Sequence, residues 1–307
     1  MEPSMRVPIL LLLSALQAPA FQDNIIAEVR GAIARSDFDD AEKRLDAYQA
    51  KRGITAEGLE AQSWLGRGAL NSRQYDRADA YAGRTHKLVL AELKKRPLDL
   101  ERHLPIALGA AIEVQARVME ARGERSRAIS FLTDQLRLYH DTSIRTRIQK
   151  NLHLLSLEGK PAPRLEVSEW LGSKPLALEQ LRGKAVLLFF WAHWCGDCKY
   201  QVESLRKILA GFGPRGLVVI GPTQRYGYTA RGEEATPEQE LAYIDRIRRE
   251  SYGALGEMAV PVSEENFKNY GCSTTPTLVF IDRGGTVRLY HPGRMDEADL
   301  RAVIARW

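Results

Sequence analysis

From residue 21 to about 157, apolar positions recur at intervals of three and four, as at Ile26, Val29 and Ile33 and again at Leu45 and Tyr48. That period lays an apolar stripe along one side of a helix, so this half of the chain is predicted to be all helical. Beyond residue 159 the texture changes. Short continuous apolar runs at 185–190, 216–220 and 277–281 carry the mark of strands buried on both faces. A further strand at 286–290 follows Asp282-Arg283-Gly284-Gly285, whose glycines allow a tight hairpin turn. Helical stretches at 195–210, 237–250, 264–270 and 296–305 lie between. The fold class read from this order is α plus α/β: an all-helical hairpin domain over 21–157, then an α/β domain with a mixed central sheet over 158–307.

Within the helical half a short pattern returns. Ser36-Asp37-Phe38-Asp39-Asp40-Ala41 resembles Arg73-Gln74-Tyr75-Asp76-Arg77-Ala78, and Gly123-Glu124-Arg125-Ser126-Arg127-Ala128 is a looser copy. In each, a polar turn precedes a helix with alanine at the same offset. Together with Leu65-Gly66 upstream of the second turn, this weakly resembles tetratricopeptide repeats, although the copies are unevenly spaced; a plain bundle of helical hairpins is the alternative. Gly159-Lys160-Pro161-Ala162-Pro163 then breaks the pattern, because proline removes amide donors and pushes its neighbour to extended geometry. It reads as a linker or an extended lead-in, and residues 159–307 are expected to fold and react without the helices.

The 307 residues suit about two domains. Net charge is +5, but the two signs are interspersed and form no basic stripe, which argues against nucleic acid as a partner. Only three cysteines are present, too few for a disulfide scaffold, and the six histidines are scattered, so no zinc site is implied. At the N-terminus, Arg6, an apolar run over 7–16 and Ala18-Pro19-Ala20 read as a signal peptide over 1–20, with the mature chain starting near Phe21. The run is shorter than the roughly 20 residues that span a bilayer, which favours a periplasmic or secreted protein; an uncleaved N-terminal membrane anchor is the alternative. An exported chain meets an oxidising compartment, where disulfide chemistry has substrates.

The sharpest chemical feature is Phe190-Trp191-Ala192-His193-Trp194-Cys195-Gly196-Asp197-Cys198-Lys199, in which a buried strand runs into Cys-x-x-Cys as a helix begins. The helix N-terminus offers free amides and partial positive charge that stabilise a thiolate at Cys195. Cys198, one turn on, is close enough to close a disulfide. This strand–motif–helix arrangement resembles the thioredoxin superfamily, and within it the exported thiol–disulfide oxidoreductases of the TlpA/ResA type, over residues 159–307. The lead-in at 159–163, Leu181-Arg182-Gly183-Lys184 before the first core strand, and Tyr270-Gly271-Cys272-Ser273-Thr274-Thr275-Pro276-Thr277 are similar to that group's segments. The resemblance implies that Cys195 attacks and Cys198 resolves. It also implies that Pro276 is cis against the disulfide, and that Thr275 offers its backbone to an extended substrate, with Trp194, Gly196 and Asp197 in support. The implied partners are a client protein bearing a thiol or disulfide and an upstream thiol donor or acceptor. A protein partner for the helical domain is a further expectation, and no cofactor is implied.

The chain departs from that pattern. Phe189 stands where thioredoxins bury an aspartate, and Gln201 stands where TlpA/ResA-type proteins often carry a glutamate. Glu203 and His193 are the remaining candidates for proton transfer, though five residues along a helix turns Glu203 about 140° from Cys198. Cys272 reads as a small buried hydrophobe, and 226–234, with Tyr228 and Arg231, as a surface loop or a rim over the site. Asp197 repels a thiolate: at about 6 Å Coulomb's law gives roughly 0.7 kcal/mol in water and about 2.8 at an effective dielectric near 20. At about 30 mV per 1.4 kcal/mol, that makes the couple more reducing by about 15–60 mV. Two rival functions remain at this point. A peroxiredoxin-like peroxidase would need a threonine where Ala192 stands. In an interaction protein the helices would bind a partner and the second domain would be a redox-passive scaffold.

Overall fold

The computed structural model describes residues 24–307, so the expected signal peptide lies outside the described residues. Seven helices come first: α1 (Ile25–Ala34), α2 (Phe38–Arg52), α3 (Ala56–Asn71), α4 (Tyr75–Leu93), α5 (His103–Ala121), α6 (Arg125–Leu138) and α7 (Arg145–Ser156). Among the described residues no helix is long and apolar enough to cross a membrane.

The repeated hexapeptides mark three helical hairpins with one turn geometry. Ser36, Arg73 and Gly123 all adopt the left-handed conformation, at φ 62°, 58° and 81°. The next amide reaches back to the preceding helix in each copy: Asp37 N to Ala32 O, Gln74 N to Ala69 O and Glu124 N to Met119 O, all at 2.8–3.0 Å. This pattern of amides capping a helix end relieves carbonyls that the helix leaves unpaired. The alanines at the shared offset, Ala41, Ala78 and Ala128, are fully buried in the helical cores. On α1 the innermost positions are Ile25, Val29 and Ala32, one step off the stripe read from Ile26 and Ile33, which lie half-buried against the same core.

The second half contains β1 (Trp170–Leu171), β2 (Ala185–Phe190), α8 (Gly196–Phe212), β3 (Leu217–Ile220), α9 (Pro237–Tyr252), β4 (Val260–Pro261), α10 (Glu264–Tyr270), β5 (Thr277–Ile281), β6 (Val287–Pro292) and α11 (Glu297–Ile304). The main sheet runs β3-β2-β5-β6, with β2 parallel to β3 and antiparallel to β5; β1 and β4 form a small separate pair. All six residues of β2 are buried, as the continuous apolar run requires. Leu187 and Phe189 enter a core with α8, α9 and α11, while Val186, Leu188 and Phe190 enter one with α10 on the other face. The expected hairpin turn forms, with Gly285 at φ 80° and the Asp282 carboxylate accepting from Thr286 N at 3.0 Å.

The segment at 159–163 is not a free linker. Gly159 N and Ala162 N donate to Val287 O and Gly285 O, and Val287 N donates to Lys160 O, so it lies along the edge of β6. Helix α7 also crosses the junction. His153 Nε2 bonds Asn269 O at 2.8 Å, Arg145 pairs with Glu265 at 2.9 Å, and Leu157 is buried in the core beneath β2. Gly271 is required here, because a Cβ would stand 2.4 Å from Lys150 N. A fragment beginning at residue 159 loses Leu157 and the His153 bond, worth about 2–4 kcal/mol together. Urea denaturation should therefore find 159–307 less stable than 142–307 by that amount. Equal midpoints would show that α7 belongs to the helical half alone.

Candidate active site

Strand β2 ends at Phe190 and delivers the chain to a loop held by backbone bonds. Trp191 N donates to Pro222 O (3.2 Å), Trp191 Nε1 to Gly221 O (2.8 Å), and Thr223 Oγ1 to Trp191 O (2.8 Å). Gly221 must lack a side chain here, since a Cβ would stand 2.5 Å from Met258 Cε and 3.1 Å from the Trp191 ring nitrogen. The loop places Cys195 as the N-cap of α8, where Cys198 N donates to its sulfur at 3.0 Å. Cys195 and Cys198 are joined as a disulfide with Cα atoms 5.3 Å apart. Cys195 is only 3% exposed and Cys198 is fully buried, so neither sulfur of the disulfide stands open to solvent.

The Thr275–Pro276 bond is cis. Phe190 pairs with Thr277, so the loop carrying Pro276 lies at the end of the sheet from which the redox loop departs. Thr275 Oγ1 is buried without a partner, and Gly293 N donates to Pro276 O at 2.7 Å. Trp194 is half exposed and meets Tyr226, and Tyr200 is largely exposed beneath the Arg294 guanidinium. The Gly196 backbone faces open space.

Both candidates for proton transfer, Glu203 and His193, have charged partners, and the positions where the chain departs from its relatives are packed or hydrogen-bonded. Glu203 is exposed, and its bond to Arg206, with Lys207 nearby, holds its carboxyl below the usual range. Gln201 is buried and pairs both amide atoms with the Met295 backbone, its Nε2 donating to the oxygen and its Oε1 accepting from the nitrogen, each at 2.9 Å. A carboxylate could not make the donating half of that pair. Phe189 packs against Tyr252, with ring centres 5.8 Å apart. Cys272 is buried beside Phe267, Tyr270 and Tyr290, and burial pushes its thiol well up.

His193 is buried and meets a group that sequence reasoning missed. Its Nε2 lies 3.2 Å from Glu240, whose carboxylate also accepts from Tyr226 N at 2.6 Å and Gly227 N at 2.9 Å. Tyr226, Tyr228 and Tyr243 stand edge-on around the imidazole at 5.2–5.5 Å, and Tyr226 also meets Trp194. Burial lowers the His193 pKa against the opposing pull of Glu240. The signal was present in the sequence: Glu240 shares the inward register of Ile244 and Ile247, where a carboxylate needs a partner.

A disulfide capping a helix beside a cis-proline loop, on a four-stranded mixed sheet, defines a thioredoxin-like redox domain. The AhpC/TSA family model matches residues 159–231. The thiol:disulfide interchange protein DsbE of Pseudomonas fluorescens biotype C is 30% identical over 152 residues, covering 48% of this chain and 73% of that protein. The thiol-disulfide oxidoreductase ResA of Bacillus thuringiensis strain Al Hakam is 26% identical over 129 residues, covering 42% of this chain and 66% of its own length, a little under two thirds. A solved putative DsbE from Chlorobium tepidum aligns over 96% of its length and 48% of this chain, at 23% identity and a TM-score of 0.38. The chain belongs to the family of the thiol:disulfide interchange protein DsbE.

Two expectations follow. Asp197 is exposed and faces Arg294 at 3.7 Å, so water and the guanidinium reduce its repulsion of a Cys195 thiolate toward the lower bound, about 15 mV. Redox titration against glutathione should place Asp197→Asn at a potential less negative by about that much, and Arg294→Gln at a more negative one. A shift of the opposite sign in Asp197→Asn would leave Asp197 as a helix-starting residue only. Separately, Glu240→Ala strands the buried His193 ring nitrogen and two part-buried amides and should cost about 2 kcal/mol in denaturant, with Glu240→Gln costing less. A change under about 0.5 kcal/mol in Glu240→Ala would show that these bonds do not hold the loop.

Proposed function

We propose that this protein is an exported thiol–disulfide oxidoreductase that exchanges its Cys195–Cys198 disulfide with protein substrates. One observation carries the reading: the Cys195 sulfur caps α8 and receives the Cys198 amide, a setting that stabilises negative charge on that sulfur. In the reduced protein the Cys195 thiolate attacks one sulfur of a client disulfide, and the client's other sulfur leaves as a thiolate. Cys198, deprotonated, then attacks the Cys195 sulfur of the mixed disulfide. The client departs as a dithiol, two electrons have passed to it, and the Cys195–Cys198 bond has formed. An upstream thiol pair returns the electrons by the reverse steps; with an oxidant in its place, the same chemistry oxidises clients. The Thr275 backbone beside cis-Pro276 is the edge along which an extended client would lie, and Trp194 would cover it. The domains are assigned as a helical unit over 21–157 and a redox unit over 158–307, with α7 shared at the junction. Export to the periplasm or beyond rests on the N-terminal sequence and on the DsbE and ResA likeness.

The test is trapping. Cys198→Ser should accumulate mixed disulfides through Cys195, and Cys195→Ser should abolish insulin reduction. Insulin left untouched by the reduced wild-type protein would favour a redox-passive scaffold instead.

A further inference from the structure

The first helix of each hairpin contributes to one concave face. Helices α1, α3 and α5 and the turn at Arg73 enclose a cavity of about 740 Å³, a size that takes a substantial ligand. Its centre is Trp64, with the Arg30 guanidinium 4.3 Å and the Arg67 guanidinium 4.5 Å from the ring. Ile33, Leu70 and Val114 supply apolar wall.

The charges in this cavity do not balance. Glu113 lines it, but its carboxylate is taken by Arg147 at 2.8 Å and Lys150 at 3.6 Å. Glu120 pairs with Arg117 at 3.3 Å. Among the described residues, exposed Arg30 and Arg73 and half-buried Arg67 make no hydrogen bond or ion pair to a carboxylate, and Trp64 Nε1 is buried without a partner. Burial, with Arg147 nearby, outweighs the opposing pull of Glu113 and Glu60 and lowers the Arg67 pKa to about 10. A half-buried guanidinium that touches no carboxylate can still gain from one, and its planar fork suits that shape.

We propose that this cavity binds a short acidic segment of a partner protein, with a carboxylate held between Arg30 and Arg67 and its aliphatic neighbours on Ile33, Leu70 and Val114. The choice of a protein segment over a free anion rests on the redox reading above, in which the attached domain acts on proteins. The preference for an anion comes from the surplus of guanidinium groups on the cavity wall and is independent of that reading.

The probe is a fluorescein-labelled, C-terminally amidated peptide, Leu-Asp-Leu-Glu-Leu, titrated by anisotropy with the oxidised full chain, beside the identically labelled and amidated isostere Leu-Asn-Leu-Gln-Leu, which lacks both carboxylates. The acidic peptide should bind at least about tenfold more tightly than the isostere, and more weakly as salt rises. The double variant Arg30→Gln/Arg67→Gln should lose at least about tenfold in affinity while reducing insulin as the wild type does. Equal binding of the two peptides, or unchanged affinity in the double variant, would overturn the proposal. Displacement of the peptide by succinate at concentrations no higher than the peptide's own Kd would assign the cavity to a small diacid instead. Binding is read in the oxidised protein with no thiol exchange, so failure to reduce insulin and failure to bind the peptide are separate results.

Discussion

The redox end of the molecule depends on one short hydrogen-bonded turn, in which the Cys198 amide points at the Cys195 sulfur. A helix leaves its first amides unpaired, and an anion there meets both donors and the positive end of the peptide dipoles. The turn works only if the preceding strand aims the chain correctly. Strand β2 is buried along its whole length, so a slip of one residue would exchange its two core faces and move both cysteines. The helices on both sides of the sheet are thus part of the redox chemistry, because they hold the register that places the sulfur.

Around that turn, buried polar groups serve chiefly to fasten backbone. The Trp191 indole and Thr223 tie the redox loop to the end of β3; Gln201 ties α8 to Met295; Glu240 ties the loop at 226–227 to His193. Each clamp joins segments far apart in sequence. A glutamate at 201 would lose the donor that reaches Met295, so a carboxylate there and this Met295 clamp exclude one another. The three tyrosines about His193 then make the loop at 226–228 a packed wall beside Trp194, where a surface loop had been one expectation from the sequence.

The secondary structure was legible where burial is simple. The apolar runs at 185–190 and 277–281 became strands of those bounds, since a strand buried on both faces has little freedom in composition. The turns at Ser36, Arg73 and Gly123 were visible because one local geometry demands similar short segments. The contacts of the site were less legible, because its clamps join positions such as 193 and 240, or 201 and 295, that no local pattern connects. Asp197 could be placed at the helix start but not beside Arg294, and Glu203 could be turned away from Cys198 by helix geometry but not paired with Arg206. The role of α7 was missed for a different reason. Its period matches the helices before it, and nothing in that period says that part of its surface lies against α10.

That surface gives the two halves a shared rigid part. Arg147 and Lys150 of α7 take up Glu113, which lines the basic cavity, while the Lys150 backbone abuts Gly271 at the start of the loop that carries Pro276. Leu155 is buried among the helices and Leu157 beneath the sheet. Contiguity of this kind is not a signalling path, since coupling needs an element with two arrangements and α7 is packed from both sides. What a shared helix does provide is a fixed span. A partner held in the cavity by one segment would meet the disulfide as an intramolecular neighbour, at an effective concentration set by its own chain between the two points. Selectivity would then come from partners whose acidic segment and reactive sulfur are separated by a length that fits that span, without any need for tight contacts at the sulfur itself.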